Sequence, residues 1–207
     1  HLGTRWCRSE ELLDFLGSVR CGHLYLVGDV VDGWKLRRRP CWPSSHNEVV
    51  HRLLKMSRKT RITYVTGNHD AFLDAYDGLS FGEIQVTRQT LHRGADGRRY
   101  LVVHGDEFDQ VTRYHRWVAV LGDMAYNLLV RINISLSWFR RRLGLTGYWS
   151  LAGYAKRKVK TAINFIFNFE DSVVRAVKER QLDGVVCGHI HWAALRQVDE
   201  VLYINCG

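Results

Sequence analysis

No Cys-x-x-Cys pair occurs in this chain, and its five cysteines, Cys7, Cys21, Cys41, Cys187 and Cys206, are an odd number. Both facts argue against a disulfide framework and against a cysteine-based zinc site. A reducing cytosol suits this cysteine usage. The opening residues hold no apolar h-region, so no secretory signal is visible. No internal repeat or low-complexity tract interrupts the sequence. Acidic residues are scarce beside basic ones: 30 Lys plus Arg stand against 21 Asp plus Glu, a formal net charge of +9. The pI is near 9.5. That balance selects anionic partners: nucleic acid, an anionic membrane surface or a phosphorylated substrate. The 207 residues suffice for one domain with a sizeable core.

The apolar pattern predicts helices over Glu10–Val19, Asn47–Arg58 and Glu170–Gln181. Short apolar runs predict strands at Leu24–Val27, Ile62–Val65, Tyr100–Val103 and Gly184–Cys187. Ile84–Thr87 and Thr90–Arg93 read as further strands, Asp96-Gly97 as a hairpin turn, and Val198–Ile204 as a hairpin around Asp199-Glu200. Pro40 to Pro43 reads as a loop. Strands alternate with helices over the first seventy residues and again near the end. That order predicts an α/β layered domain with helices covering sheets.

The stretch 111–169 is of another kind. It has no strand-like alternation and is dense in aromatics, Trp149 and Tyr154 among them. It also carries two basic runs, Arg140-Arg141-Arg142 and Lys156 to Lys160. It reads as a helical insertion within one domain, lying over the ends of the strands. Residues 117–139 are apolar, but Asp123, Asn127, Arg131 and Asn133 interrupt them. A span needs roughly 20 nearly uninterrupted apolar residues, so an interfacial or lid helix is expected instead. About half of the aromatics are read as the insertion's own small core.

Four short motifs carry the chemistry: Gly28-Asp29-Val30-Val31-Asp32, Gly67-Asn68-His69-Asp70, His104-Gly105-Asp106 and Gly188-His189-Ile190-His191. Each sets oxygen or imidazole donors beside a glycine just after an apolar run. Strand ends that converge in this way suit a pair of divalent metal ions. Asp29 offers two oxygens, one to each ion. Asp32 can order the first loop by hydrogen bonding. Asn68 offers a neutral oxygen donor. His69 can face a substrate as a general acid or charge stabiliser, with Asp70 holding its imidazole in one tautomer. His189 and His191, two apart, project to one side of an extended backbone. Paired imidazoles past a buried strand need a partner, and a metal is the natural one. His23, His46, His51, His92 and His115 read as structural or surface residues, with His46 and His115 the two within possible reach of a substrate. The mixed nitrogen and oxygen donors permit Mn, Fe, Zn or Co, with Mn taken as the leading expectation.

In chain order the donors read His1, GDxxD, GNHD, HGD and GHxH. This resembles the calcineurin-like metallophosphoesterase superfamily, whose five-part signature begins D-x-H. More narrowly, His1-Leu2-Gly3-Thr4-Arg5, Leu26 to Trp34 and His104 to Asp109 are similar to the bacterial UDP-2,3-diacylglucosamine pyrophosphatase-like branch. The basic, aromatic insertion is similar to that branch's lid. Two departures stand out. The Asp of D-x-H falls two places before His1, and the chain ends at Gly207 where such a domain continues into another strand. A fragment cut at both ends is therefore expected. At His69 the branch carries Arg, whereas GNHD is the general phosphoesterase form.

The resemblance implies a β-sandwich flanked by helices. It implies two divalent ions, one held by His1 and His191, the other by Asn68, His104 and His189, with Asp29 between them. His69 and Asp70 would be catalytic, and Asp32 and Asp106 would support the site from behind. The implied reaction is hydrolysis of UDP-2,3-diacylglucosamine to UMP and the acylated sugar phosphate, a step of lipid A synthesis. Arg140, Arg141, Lys156 and Lys160 would meet pyrophosphate or anionic headgroups, and Trp149 and Tyr154 would hold acyl chains. The expected setting is the cytoplasmic face of the inner membrane. The alternatives are a phosphodiesterase or phosphatase on another substrate, and a non-catalytic relative that binds anionic lipid or nucleic acid. Nucleic-acid binding leaves the four donor motifs unexplained and is not the expectation.

Overall fold

The computed structural model describes residues 1–108, 166 and 168–207. The chain divides into two compact units, His1–Asp106 with Ser172–Gly207, and Glu107–Asp171. All the described strands fall in the first unit. Its elements run α1 (Ser9–Ser18), β1 (His23–Val27), α2 (Gly33–Arg38), α3 (Ser44–Ser57) and β2 (Arg61–Val65). A 3₁₀ helix follows at Ala71–Tyr76, then β3 (Ser80–Phe81), β4 (Ile84–Thr87), β5 (Gln89–Arg93) and β6 (Arg99–Val103). A fourth helix, α4, covers residues 168–179. The chain then adds β7 (Gly184–Cys187), β8 (Ala194–Val198) and β9 (Val201–Asn205).

These strands form two mixed sheets, which realises the expected α/β class. The first has order β1-β2-β4-β3, with β1, β2 and β4 parallel. The second has order β5-β6-β7-β9-β8, with β6, β7 and β9 parallel. Parallel strands covered on both faces need continuous apolar runs. Ile62 to Val65 on β2 and Leu101 to Val103 on β6 are buried without a break. Helices α1 and α3 cover one face of the first sheet: Leu16, Val49 and Leu53 form one cluster with Ile62, Tyr64, Ile84 and Val86. On α4, Val173, Val174 and Val177 are buried. Side-chain bonds join the sheets near the site. The Tyr25 hydroxyl lies 3.0 Å from His92 Nδ1, and His104 Nδ1 lies 3.2 Å from the carbonyl of Val27.

The predicted elements are present with small shifts in their ends. Helix α3 starts at Ser44 instead of Asn47, because Pro43, with its fixed φ, supplies the extended residue ahead of the first turn. The last hairpin turns at Asp199-Glu200 as expected, but β8 reaches back to Ala194, paired with Asn205. Helix α2 is not expected from its six residues. It forms because the Asp32 carboxylate accepts the Lys35 amide at 2.9 Å and caps its first turn. The insertion 111–169, with Arg140, Arg141, Trp149, Tyr154, Lys156 and Lys160, lies almost wholly outside the described residues, as does its reading as a lid. No helix among the described residues is long and apolar enough to cross a membrane.

Candidate metal centre

Four strands end where the donors begin. Chain β1 passes from Val27 to Gly28-Asp29, β2 from Val65 to Asn68, β6 from Val103 to His104, and β7 from Cys187 to His189. Two of these strands belong to each sheet. Asp29 stands at the centre. Its Oδ1 accepts the His69 amide at 2.8 Å, and its Oδ2 lies 3.3 Å from His104 Nε2. The same His104 nitrogen lies 3.2 Å from Asn68 Oδ1. Ligand atoms of His1, Asp29 and His69 all lie within 4.8 Å of one another. The His191 ring stacks on His1 at 5.7 Å between centroids, and the His189 ring meets His104 edge-on at 5.2 Å. The structure thus gathers His1, Asp29, Asn68, His69, His104, His189 and His191, which come from five separate segments.

The glycines make that approach possible. A Cβ at Gly67 would lie 2.5 Å from Asp29 Oδ1 and 2.7 Å from His104 Cδ2. Gly28 has φ +72°, and a side chain there would run into the His104 ring. Backbone strain gathers here as well. Among the described residues, five that are not glycine have positive φ, and Asp29, His189 and His191 are three of them. Such conformations cost about 1–3 kcal/mol each and persist where the surroundings hold them. The two histidines also correct an expectation. They are left-handed, at φ 72° and 51°, and not extended. Alternation along a strand therefore does not place them side by side; His189 turns to His104 and His191 to His1.

His69 sits between three groups. Its Nδ1 lies 3.3 Å from Asp32 Oδ2. The Trp34 ring tilts over it at 4.5 Å, and His1 meets it edge-on at 4.8 Å. That approach is not a hydrogen bond, and Nδ1 is a buried polar atom without a hydrogen-bond partner among the described residues. The reading of Asp70 as holder of the His69 tautomer is overturned. Asp70 is fully buried, and its carboxylate accepts the amides of Val30 at 2.8 Å and Gly67 at 2.5 Å and the Tyr64 hydroxyl at 2.6 Å. It pins the first two donor loops together and does not face the ring. Burial raises its pKa, against the pull of those donors, and burial with the Asp70 charge lifts Tyr64 well above the ordinary phenol range.

Asp32 does two things. It caps α2, and its own amide donates to the Leu2 carbonyl at 2.8 Å, while the Leu2 amide donates to Val30 at 2.7 Å. That ladder holds the residue after His1 against the Asp29 loop. His46 completes the anchor. It is 1% exposed, and its Nδ1 accepts the Gly3 amide at 3.1 Å. It is a structural residue, as expected, and does not reach a substrate. Its role as an anchor had no signal in the sequence, and nor did that of Tyr64, which reads as one more strand residue. Asp106 pairs with Arg88 at 3.5 Å.

A family profile described as calcineurin-like phosphoesterase matches residues 5–193. The chain belongs to that family. The match takes in every sequence-derived donor except His1. No curated protein matches the chain. Several solved structures are similar to this phosphoesterase. A single mutant of Vps29 from Entamoeba histolytica has 11% identity and TM-score 0.43, over 99% of this chain and 68% of that one. Vacuolar protein sorting 29 from Cryptosporidium parvum has 13% identity and TM-score 0.46, over 99% and 67%. An archaeal phosphodiesterase has 14% identity and TM-score 0.41, over 96% and 74%.

Family membership sets the reaction class as metal-dependent hydrolysis of phosphoric esters, and the donor chemistry of this phosphoesterase fits divalent ions. Donors about 2.1 Å from one ion lie at most about 4.2 Å apart. The His1, Asp29 and His69 set is therefore slightly open. The orphaned Nδ1 of His69 and the strained ligand backbones mark a site organised for charge. Burial works against ionising Asp29, but the bond and charge of His104 and the His69 amide outweigh it and hold the carboxyl below its ordinary value. Burial likewise works against a charged His104, and the Asp29 bond outweighs it, so His104 titrates above the ordinary histidine value.

Proposed function

We propose that the phosphoesterase hydrolyses a phosphate anhydride through two divalent ions, Mn first among the candidates. His1 and His191 would hold one ion, Asn68, His104 and His189 would hold the other, and Asp29 would serve both. The observation that carries this reading is Asp29: its two carboxylate oxygens face opposite groups, the His69 loop on one side and His104 on the other. Ions bound there supply positive charge for phosphoryl oxygens and acidify a water. Asp29 and the imidazoles fix where that charge sits. His69, flanked by Asp32 and Trp34, is placed to hold or deliver a proton to an oxygen of the substrate.

The substrate we favour is a UDP-2,3-diacylglucosamine-type pyrophosphate, cleaved to UMP and the acylated sugar 1-phosphate. The resemblance of the first and third donor segments to that branch supports it. So does the basic, aromatic insertion, in which Arg140, Arg141, Lys156 and Lys160 would meet the pyrophosphate or headgroups, and Trp149 and Tyr154 the acyl chains. The partners are then a phosphorylated lipid and an anionic membrane surface, and the setting is the cytoplasmic face of a bacterial inner membrane.

His69 favours a second reading. The GNHD form is general to phosphoesterases, which suits a phosphodiesterase acting on another substrate. One experiment separates the two. With Mn²⁺ present, UMP release from UDP-2,3-diacylglucosamine supports the first reading. Hydrolysis of an aryl phosphodiester with no UMP release supports the second.

A further inference from the structure

Asn68 and His104 come from different sheets: Asn68 follows β2 and His104 follows β6. Their donor atoms nevertheless lie 3.2 Å apart, within the roughly 4.2 Å that two ligands of one ion can span. The chain passes from the first sheet to the second through a single residue, Arg88, between β4 and β5. The Arg88 guanidinium reaches both donor loops. Its Nη1 donates to the two Asp74 oxygens at 3.4 and 3.3 Å, and its Nη2 lies 3.5 Å from Asp106 Oδ2. Asp74 also accepts the Thr66 hydroxyl at 2.6 Å, which closes the Gly67 to Asp70 loop from its two ends. Thr66 stands two places before Asn68, and Asp106 two places after His104. The base of the Arg88 side chain is held as well: its amide donates to Asp77 Oδ1 at 3.2 Å.

The side chains of Arg88, Asp74 and Asp106 are 32%, 37% and 20% exposed. Ion pairs this open to water add little to stability. A planar guanidinium that meets two carboxylates on separate nitrogens has another use, because its rigid fork fixes geometry. We infer that Arg88 is a positioning residue: by spanning Asp74 and Asp106 it sets the separation of Asn68 from His104. The inference rests on the proposed reading of those two side chains as ligands of one ion. It does not depend on which phosphoester is cleaved.

Mn²⁺ titration of the purified protein by calorimetry, beside thermal unfolding of the metal-free protein, tests it. Changes behind metal ligands typically cost about 10–100-fold in affinity. Arg88→Gln is expected to weaken the binding of one ion about tenfold and to leave the metal-free unfolding midpoint near that of wild type. Arg88→Lys keeps the charge but cannot fork between two carboxylates, so it should recover little of the affinity. Asp106→Asn should show the same loss, and adding it to Arg88→Gln should cost little more. It also serves where Arg88→Gln fails to fold. Wild-type affinity in Arg88→Gln or Asp106→Asn overturns the proposal. So does full recovery in Arg88→Lys, or losses that add in the double variant. A wild type that binds no Mn²⁺ overturns the ligand reading itself, and the proposal with it.

Discussion

The carboxylate of Asp32 lies 3.3 Å from His69 Nδ1, while the carboxylate of Asp70, next to His69 in the chain, faces Val30, Gly67 and Tyr64. The carboxylate that lies beside the imidazole is thus 37 places away in sequence. Asp32→Asn keeps the acceptor that caps α2 and removes the charge beside the ring. It is expected to lower turnover on an aryl phosphodiester by about tenfold or more and to leave the unfolding midpoint nearly unchanged. Full turnover in Asp32→Asn would show that the contact has no part in the reaction.

His69→Ala removes the ring and keeps the amide that donates to Asp29. The expected result is a loss of roughly 10²-fold in rate with metal content retained. His69 also falls in one donor cluster with His1 and Asp29. Loss of an ion in His69→Ala, read by elemental analysis, would make it a ligand instead.

Asp70→Ala should act on stability. It leaves two amides and the Tyr64 hydroxyl buried without their acceptor, each costing about 1–3 kcal/mol. A loss of about 3 kcal/mol or more is expected in denaturant unfolding. Unchanged stability would contradict the role of Asp70 as the pin between the first two loops.

His46 predicts a pH dependence. Burial holds its pKa below the ordinary histidine value, and its Nδ1 must stay bare to accept the Gly3 amide. On acidification the unfolded chain takes up this proton first. The contribution of His46 is therefore complete above about pH 6.5 and lost as pH falls from there through its lower folded value. His46→Gln should remove that part of the slope of stability against pH. An unaltered slope would contradict it.

The insertion carries a prediction that its sequence alone supports. Replacing Arg140 to Arg142 and Lys156 to Lys160 basic residues with Gln should weaken binding to anionic liposomes, as should high salt. Hydrolysis of a small soluble phosphodiester should be spared. Binding indifferent to both changes, or resistant to carbonate extraction, would refute a peripheral lid.

Much of this site is legible in the sequence because strand ends are punctuated by glycine and polar residues. Asp29, Asn68, His104 and His189 each follow an apolar run that forms a strand, so the four could be placed without knowing how the sheets pair. Contacts between distant segments are different. Nothing local points to Asp32 as the neighbour of His69, because only Asp70 stands beside it in the linear sequence. Hydrogen bonding across the fold decides it: Val30, Tyr64 and Gly67 take up the Asp70 carboxylate, and that of Asp32 is left beside the ring. The left-handed turns at His189 and His191 were illegible for a similar reason: surrounding loops impose them against the residues' own preference. Helix α2 was missed because six residues carry too little periodicity, and one side chain, Asp32, starts it.

The most direct test of the metal centre is its occupancy in the wild-type chain and in Asp29→Ala, each equilibrated with Mn²⁺ and measured by elemental analysis after gel filtration. Asp29 faces both halves of the donor set, so its loss should strip more metal than either His189→Ala or His191→Ala. With the Asp of D-x-H present two places before His1, the expected result is two ions per chain in wild type, a partial loss in each histidine variant and the largest loss in Asp29→Ala. Two ions retained in Asp29→Ala, or none bound by the wild type, would contradict the account.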